Sequence, residues 1–97
     1  MVKYEKALYK FMGFKKGSYP RKYNALLENK ETGRKVKVSF GDRRYEQYRD
    51  STGLGIYSDK DHLDKNRRRQ YRARHSQEKK TFRNYWSPGY FSWYFMW

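Results

Sequence analysis

The sequence predicts an α+β domain in which a small antiparallel β-meander of two to three strands precedes a basic helix and a short aromatic C-terminal segment. Three observations support this prediction: apolar and polar residues alternate before residue 41, a helix-capping pattern opens a polar stretch at residue 58, and aromatic residues crowd positions 85–97. A chain of 97 residues suffices for one domain with a modest core. We divide it into a meander (1–41), a loop (42–57), a basic helix (58–76) and an aromatic C-terminal segment (77–97).

The most regular pattern is a β-hairpin over residues 23–41. Two runs alternate apolar with polar side chains, as half-buried strands do, and their apolar members are Tyr23, Ala25, Leu27, Val36, Val38 and Phe40. Between the runs, residues 30–33 have the composition of a turn, with Gly33 at a position that tolerates positive φ. We therefore expect the two strands to pair.

Residues 7–14 fit either of two structures. As a strand they place Ala7, Tyr9 and Phe11 on one face, and as a helix they form a stripe that includes Leu8 and Met12. We favour the strand, because residues 15–20 can then connect it to the hairpin as a three-stranded meander. A lone hairpin is only marginally stable in water.

The second half of the chain predicts a loop and two helices. Residues 42–57 are rich in Asp, Ser, Thr and Gly, which favour turns. Ser58, followed three residues later by Asp61, matches a capping box, so the main helix is predicted over residues 58–76. Ser87 and Pro88 suit the cap and first residue of a short aromatic helix, which Gly89 weakens.

The composition predicts a binding protein with an acidic partner. Twenty-four Lys and Arg against ten Asp and Glu give a formal charge of +14, which attracts DNA, RNA, anionic membranes or acidic protein surfaces. Cysteine is absent, which excludes thiol nucleophiles, disulfides and the common structural zinc sites. Aromatic residues make up 21% of the chain, which argues against disorder. With no recognisable secretory signal or membrane span, we expect a protein inside a cell or in a particle assembled there.

The predicted main helix carries most of the candidate binding residues. Its acids precede its bases, an order that complements the helix dipole and by itself requires no function. Its apolar residues are few, however, so a broad Arg-rich face should stay exposed, and Arg binds phosphate and carboxylate in bidentate fashion. With the charge of the whole chain, this favours functional contact over a merely solvated face. The candidate residues for binding nucleic acid or an acidic partner are Lys65, Arg67, Arg68, Arg69, Arg72, Arg74, Lys79, Lys80 and Arg83.

Residues 59–64 read Asp-Lys-Asp-His-Leu-Asp and suggest a metal site, but helix capping explains their acids. As a calcium loop starting at Asp59, the sequence has Asp64 where Gly is needed and Gln70 where Glu is needed. The two histidines, His62 and His75, belong to no recognisable catalytic triad. We therefore predict no metal, no cofactor, no small-molecule substrate and no enzymatic activity.

The aromatic C-terminal segment has two compatible roles. It can cover the sheet and complete a small core. Trp and Tyr also dominate interface hot spots and stack on bases, so the same residues are candidate interface anchors. The candidates are Tyr90, Phe91, Trp93, Tyr94 and Trp97.

A series of spaced residues runs from the hairpin to the end of the sequence and covers well over half of it. The series comprises Val38-Ser39-Phe40-Gly41, Tyr45, Gln47, Tyr48, Asp50, Tyr57-Ser58, Asp61-His62, Asp64, Arg67-Arg68, Tyr71, Arg74-His75, Ser87-Pro88-Gly89-Tyr90-Phe91-Ser92 and Trp97. It resembles a family of small basic proteins encoded by tailed bacteriophages and large double-stranded DNA viruses. The resemblance implies a viral gene product located in or near the virion, with no assigned catalytic activity and no established site residues.

Two functional hypotheses follow. The first is a minor virion structural protein of a phage or large DNA virus, found in the host cytoplasm before assembly. Its Arg and Lys surface would contact packaged DNA or acidic capsid, portal or tail subunits, and other copies of the chain are further candidate partners. The alternative is a non-sequence-specific nucleic-acid-binding protein acting in the infected cell. No base-reading motif is present, so we expect contacts to the backbone of any bound nucleic acid.

Overall fold

The computed structural model of the protein describes residues 3–97 and confirms the α+β class. Single 3₁₀ turns occur at Ser58–Lys60 and Glu78–Thr81. The regular elements are β1 (Tyr4–Glu5), β2 (Tyr9–Lys16), β3 (Arg21–Asn29), β4 (Lys35–Asp42), α1 (Lys65–Arg74), β5 (Tyr85–Trp86) and α2 (Pro88–Phe95). Among residues 3–97, no helix has the length and apolar character needed to cross a membrane.

The predicted meander is present as an antiparallel sheet in the order β2-β3-β4. In the turn between β3 and β4, the Asn29 side chain accepts the N–H groups of Glu31 and Thr32 at 2.9 and 3.1 Å. Gly33 adopts a φ of 74° there, as its position in the turn predicts. Residues 9–16 form a strand, so the strand interpretation of this region is confirmed, but it begins at Tyr9, and Ala7 lies in the preceding turn. A register shift between Phe11 and Gly13 marks a β-bulge.

The inner face of this sheet is the core. Tyr23, Ala25, Leu27 and Phe40 are fully buried on it. The helix α2 packs over these residues, and the Phe91 ring stacks on Phe40 with centroids 5.5 Å apart. As predicted, α2 is a short aromatic helix: the Ser87 Oγ caps it by accepting the N–H of Tyr90 at 3.1 Å, and Pro88 is its first residue.

The outer face of the sheet is polar and basic. Its side chains alternate with the core residues along each strand, as the period of a strand requires. The exposed lysines of this face, hereafter the lysine face, are Lys10, Lys15, Lys35 and Lys37.

A second, two-stranded sheet joins the start of the described chain to the segment just before α2. β1 pairs antiparallel with β5, with Tyr4 opposite Trp86 and Glu5 opposite Tyr85. The Trp86 indole N–H also donates to the Tyr9 carbonyl at 2.9 Å. This sheet was not predicted from the sequence, because a strand of two residues is too short to show any alternation.

The main helix starts later than predicted. It begins at Lys65, where the Asp64 carboxylate caps it by accepting the N–H groups of Asn66 and Arg67 at 2.9 and 3.2 Å. Ser58 instead lies in a 3₁₀ turn whose N-terminus has no side-chain cap. The helix cannot extend back through Leu63, whose φ is 55°. The capping box at residue 58 was therefore the wrong choice of cap, and the helix ends at Arg74 rather than residue 76.

Candidate nucleic-acid interface

The helix α1 displays its basic side chains to solvent. No residue of α1 is fully buried, and the only half-buried ones are Arg68 and Tyr71. The remaining predicted helix residues stay exposed and are hereafter called the arginine surface: Lys65, Arg67, Arg69, Arg72 and Arg74. The broad exposed Arg face predicted from the sequence is therefore present.

A few contacts made by its half-buried side hold α1 in place. The Tyr71 ring stacks on the Trp97 indole with centroids 4.4 Å apart and planes 6° apart. The Arg72 guanidinium donates to the main-chain oxygen of Trp97 at 3.0 Å, and the Arg68 guanidinium lies 4.3 Å from the centre of the Tyr48 ring. The helix is thus fixed by aromatic stacking rather than by an apolar stripe, and most of its charge remains outside.

Very little of the positive charge is neutralised within the protein. Of the 24 Lys and Arg, all of which lie in the described residues 3–97, only Arg44 and Arg67 form ion pairs with a carboxylate. Both pairs are exposed, so each contributes little to stability. Apart from buried Lys22, most of the remaining cations are exposed and can contact an external anion.

A cleft of about 650 Å³ opens beside the arginine surface. One wall is the end of the sheet where β3 begins and β4 ends, and the other is α1 with the last residues of the chain. Cations dominate its rim, and aromatic rings line its sides. The principal lining residues are Arg21, Lys22, Tyr45, Arg67, Tyr71, Arg74, His75 and Trp97, together with the acids Asp42 and Glu46.

Arginines compensate both acids of the cleft. The Arg44 guanidinium donates to the Asp42 carboxylate at 2.6 Å and holds the pKa of that carboxyl well below its usual range. Arg67 donates to Glu46 at 2.9 Å and lowers the pKa of the Glu46 carboxyl in the same way. Both carboxylates are therefore ionised and paired at neutral pH. Among the described residues, Arg21 and Arg74 have no such partner, so they give the cleft a net positive charge.

A buried polar network holds the loop that follows β4 and contributes Tyr45, Glu46 and Gln47 to the lining of the cleft. The Lys22 ammonium donates to the Tyr45 carbonyl at 2.8 Å and to the side-chain oxygen of Gln47. The Gln47 amide in turn donates to Asp61 Oδ1 at 2.6 Å, which also accepts the N–H of Asp50 at 2.8 Å. Asp61 therefore accepts hydrogen bonds from the loop and does not cap a helix. The sequence did not predict this network, because its members are far apart in the chain and nothing in the sequence distinguishes Lys22 from the exposed lysines of the strands.

The predicted basic residues beyond α1 continue its surface. Lys79, Lys80 and Arg83 are exposed on and just after the second 3₁₀ turn. Lys79 lies 5.6 Å from the Trp93 ring, which Arg72 approaches to 5.7 Å. One aromatic ring therefore brings Lys79 next to the arginine surface.

The five predicted interface anchors are not equally accessible. Phe91 and Trp93 are buried in the protein itself, so they anchor its own core and are not free for a partner. Tyr90 is half-buried beneath the Lys6 ammonium, 4.1 Å from its ring centre, and Trp97 is covered by Tyr71. Only Tyr94, at 50% exposure, presents a large open aromatic surface.

Both histidines have structural partners. The Nδ1 atom of His62 accepts the N–H of Asp64 at 2.9 Å, and burial together with nearby Arg67 lowers the pKa of the His62 imidazole. The Nδ1 atom of His75 lies 3.1 Å from the Glu78 carboxylate. Within residues 3–97, no group of three or more His, Asp or Glu side chains is placed to hold a metal ion.

No protein-family model matches this chain, and no curated protein and no solved structure is similar enough to it to count as a match. The resemblance to small basic proteins of phages and large DNA viruses therefore stays a prediction.

Proposed function

We propose that this protein binds the phosphate backbone of nucleic acid without reading base sequence, as a minor structural protein of a virus particle in contact with packaged DNA. One observation supports the proposal above all: the six cations of α1 are displayed on a single helix, and only Arg67 has a carboxylate partner among the described residues. Guanidinium groups suit phosphate oxygens, which they bind in bidentate fashion. The role is one of binding, with no catalytic step.

The surface chemistry favours backbone contact over base readout. Among the aromatic rings of the cleft, Tyr71 already packs against both His75 and Trp97, and only Tyr45 is exposed. Three exposed arginines, Arg21, Arg67 and Arg74, line the same cleft. Arg and Lys side chains contribute most of the affinity of such interfaces by releasing counterions from phosphates. We expect the same affinity for unrelated duplex sequences.

The binding proposal is tested by fluorescence anisotropy with short labelled DNA duplexes over a salt series. Affinity should fall steeply as salt rises, and the double variant R69Q/R74Q should reduce the slope of log Kd against log salt by about two, because each phosphate contact contributes about 0.9. The matched control K30Q/R34Q removes two exposed cations at the hairpin turn and should leave the slope unchanged. A flat salt response, or equal effects of the two variants, would contradict the proposal.

An acidic capsid, portal or tail subunit is the second candidate partner. Exposed Tyr94, in a shallow depression also lined by Lys79 and Arg83, favours it, because Tyr and Arg are enriched at protein interfaces. Mass spectrometry of purified particles distinguishes a virion protein from one that acts only in the infected cell. Absence from the particles would exclude the structural role while leaving nucleic-acid binding intact.

A further inference from the structure

The lysine face is a second basic surface with its own geometry. Across the strands, Lys10 and Lys35 flank Glu28, the only acid on this side of the three-stranded sheet. Lys37 lies opposite Leu26, and Lys15 lies opposite Asn24. None of the four lysines forms an ion pair within residues 3–97, so the face carries an uncompensated positive charge.

The lysine face and the arginine surface lie on different sides of the molecule. α2 covers the inner face of the sheet, where Phe91 contacts Phe14 and Phe40. α1 packs against the C-terminal end of that helix through Tyr71, which contacts Trp93 and Trp97. The arginines therefore lie beside α2, at the end of the sheet where β3 begins and where the outer-face residue Lys22 also lines the cleft, whereas the four lysines project from the outer face of the strands.

Two of the four lysines are also far from the cleft along the strands, whereas Lys15, opposite Asn24, lies nearer to it. The cleft next to α1 is lined by Arg21 at the start of β3, whereas Lys10 and Lys35 flank Glu28 near its end. Seven residues of extended strand span roughly 23 Å at about 3.3 Å per residue. The lysine face itself extends over the β3 positions from Asn24 to Glu28, about 13 Å, and a duplex carries one charge per about 1.7 Å of its axis, so this face can meet several phosphates.

We infer that one molecule binds two separate nucleic-acid segments at once, one on the arginine surface and one on the lysine face, and so bridges them. The inference rests on the proposed function and extends it from binding to cross-linking. The occupant of the lysine face is a second duplex segment, because that face combines four lysines with a single acid. Bridging brings neighbouring duplexes together and neutralises their repulsion, which suits DNA confined in a particle.

Capture of one duplex by another tests the inference. A biotinylated duplex is fixed on beads, the protein is added at low salt, and capture of a second, fluorescent duplex is measured. Two variants each remove three exposed cations: K10Q/K35Q/K37Q on the lysine face and K65Q/R69Q/R74Q on the arginine surface. Binding of each variant to a single duplex is measured in parallel by anisotropy.

We expect the wild-type protein to capture the second duplex. The lysine-face variant should still bind a single duplex but should lose capture by about tenfold or more, because three phosphate contacts are removed from one of the two surfaces. Undiminished capture by this variant would overturn the inference. That result is expected if a protein dimer, with one duplex on each arginine surface, forms the bridge. A wild-type protein that binds one duplex and captures no second would overturn it as well. Failure to bind any duplex would instead contradict the proposed function.

Discussion

Lys22 is a charged side chain that the fold buries almost completely, with 2% of its surface exposed. Its stem lies against Gly41, which has a φ of 74°, and a Cβ at that position would come within 3.2 Å of the lysine stem. Burial, together with nearby Lys60, lowers the pKa of the Lys22 ammonium to about 8, although Asp50 opposes the shift. Lys22 thus holds the loop beside the cleft in place by bonding to Tyr45 and Gln47, although burial disfavours its charged form.

We expect Lys22→Met to lower the free energy of unfolding at pH 7 by about 2 kcal/mol, because two buried acceptors lose their donor. The variant should also change the pH dependence of stability. Between pH 8 and about 10, folded Lys22 releases its proton while the unfolded side chain keeps it, so the wild-type protein becomes more stable as pH rises, with a slope of up to about 1.4 kcal/mol per pH unit. The variant should lack this rise.

Urea denaturation at several pH values provides the measurement, with Lys30→Met at an exposed position as the control. Above pH 10 a contribution of opposite sign begins. Burial, with the hydrogen bond to Asp50, raises the pKa of Tyr23 to about 12, so the unfolded tyrosine ionises first and stability falls. Parallel pH profiles for the wild-type protein and Lys22→Met would show that Lys22 does not titrate as described.

At the scale of elements, α1 is the least supported part of the fold. It has ten residues and no fully buried side chain, and a helix of that length is marginal in isolation. Its stability depends on the Asp64 cap at one end and on the Tyr71 stack against Trp97 near the other. The element that displays the binding residues therefore depends on its cap and on a few contacts with the rest of the protein.

Asp64→Ala should destabilise the protein by about 1 kcal/mol, the usual effect of losing a carboxylate cap. Asp59→Ala is the matched control, because it removes the same charge five residues away in an exposed turn that has no side-chain cap. We expect the control to change stability by less than about 0.5 kcal/mol. Equal effects of the two variants in thermal or urea denaturation would refute the assignment of Asp64 as the cap.

At the scale of the whole molecule, charge is the dominant property. A net charge of +14 on a Cα radius of gyration of 13.6 Å is opposed by few internal ion pairs, so the folded state repels itself. A bound polyanion relieves that repulsion and, by mass action, stabilises the folded chain. Binding and folding are therefore thermodynamically linked in this protein.

We expect added NaCl to raise the melting temperature. Going from about 0.1 M to about 1 M salt shortens the screening length from about 10 Å to about 3 Å. Relief of about 1 kcal/mol of self-repulsion would raise Tm by about 4–8 °C for a domain of this size. The variant K10Q/K35Q/K37Q should show a smaller increase, since it starts with less charge. A melting temperature that falls with salt would mean that ion pairs stabilise the fold.

The local patterns in the sequence were sufficient for the hairpin and α2, whereas the third strand was predicted only because it completes a meander with the hairpin. Alternation over residues 23–41 predicted both the pairing and the buried face, because successive side chains of a strand point to opposite faces of the sheet. Ser87 and Pro88 likewise predicted α2, since a cap is a local structure. Alternating Lys35 and Lys37 already indicated a polar face, although the sequence analysis gave it no function.

The sequence by itself determined the charge, the class of fold and the Arg-rich character of α1. Only the tertiary structure decided which acid caps that helix, because Ser58 and Asp64 are both suitable and Leu63 and the Gln47–Asp61 contact select between them. It also decided that Phe91 and Trp93 belong to the core, that Lys22 is buried, and that the lysine face and the arginine surface are separated. These outcomes depend on contacts between residues distant in the chain, and such contacts leave no period or spacing in a single sequence.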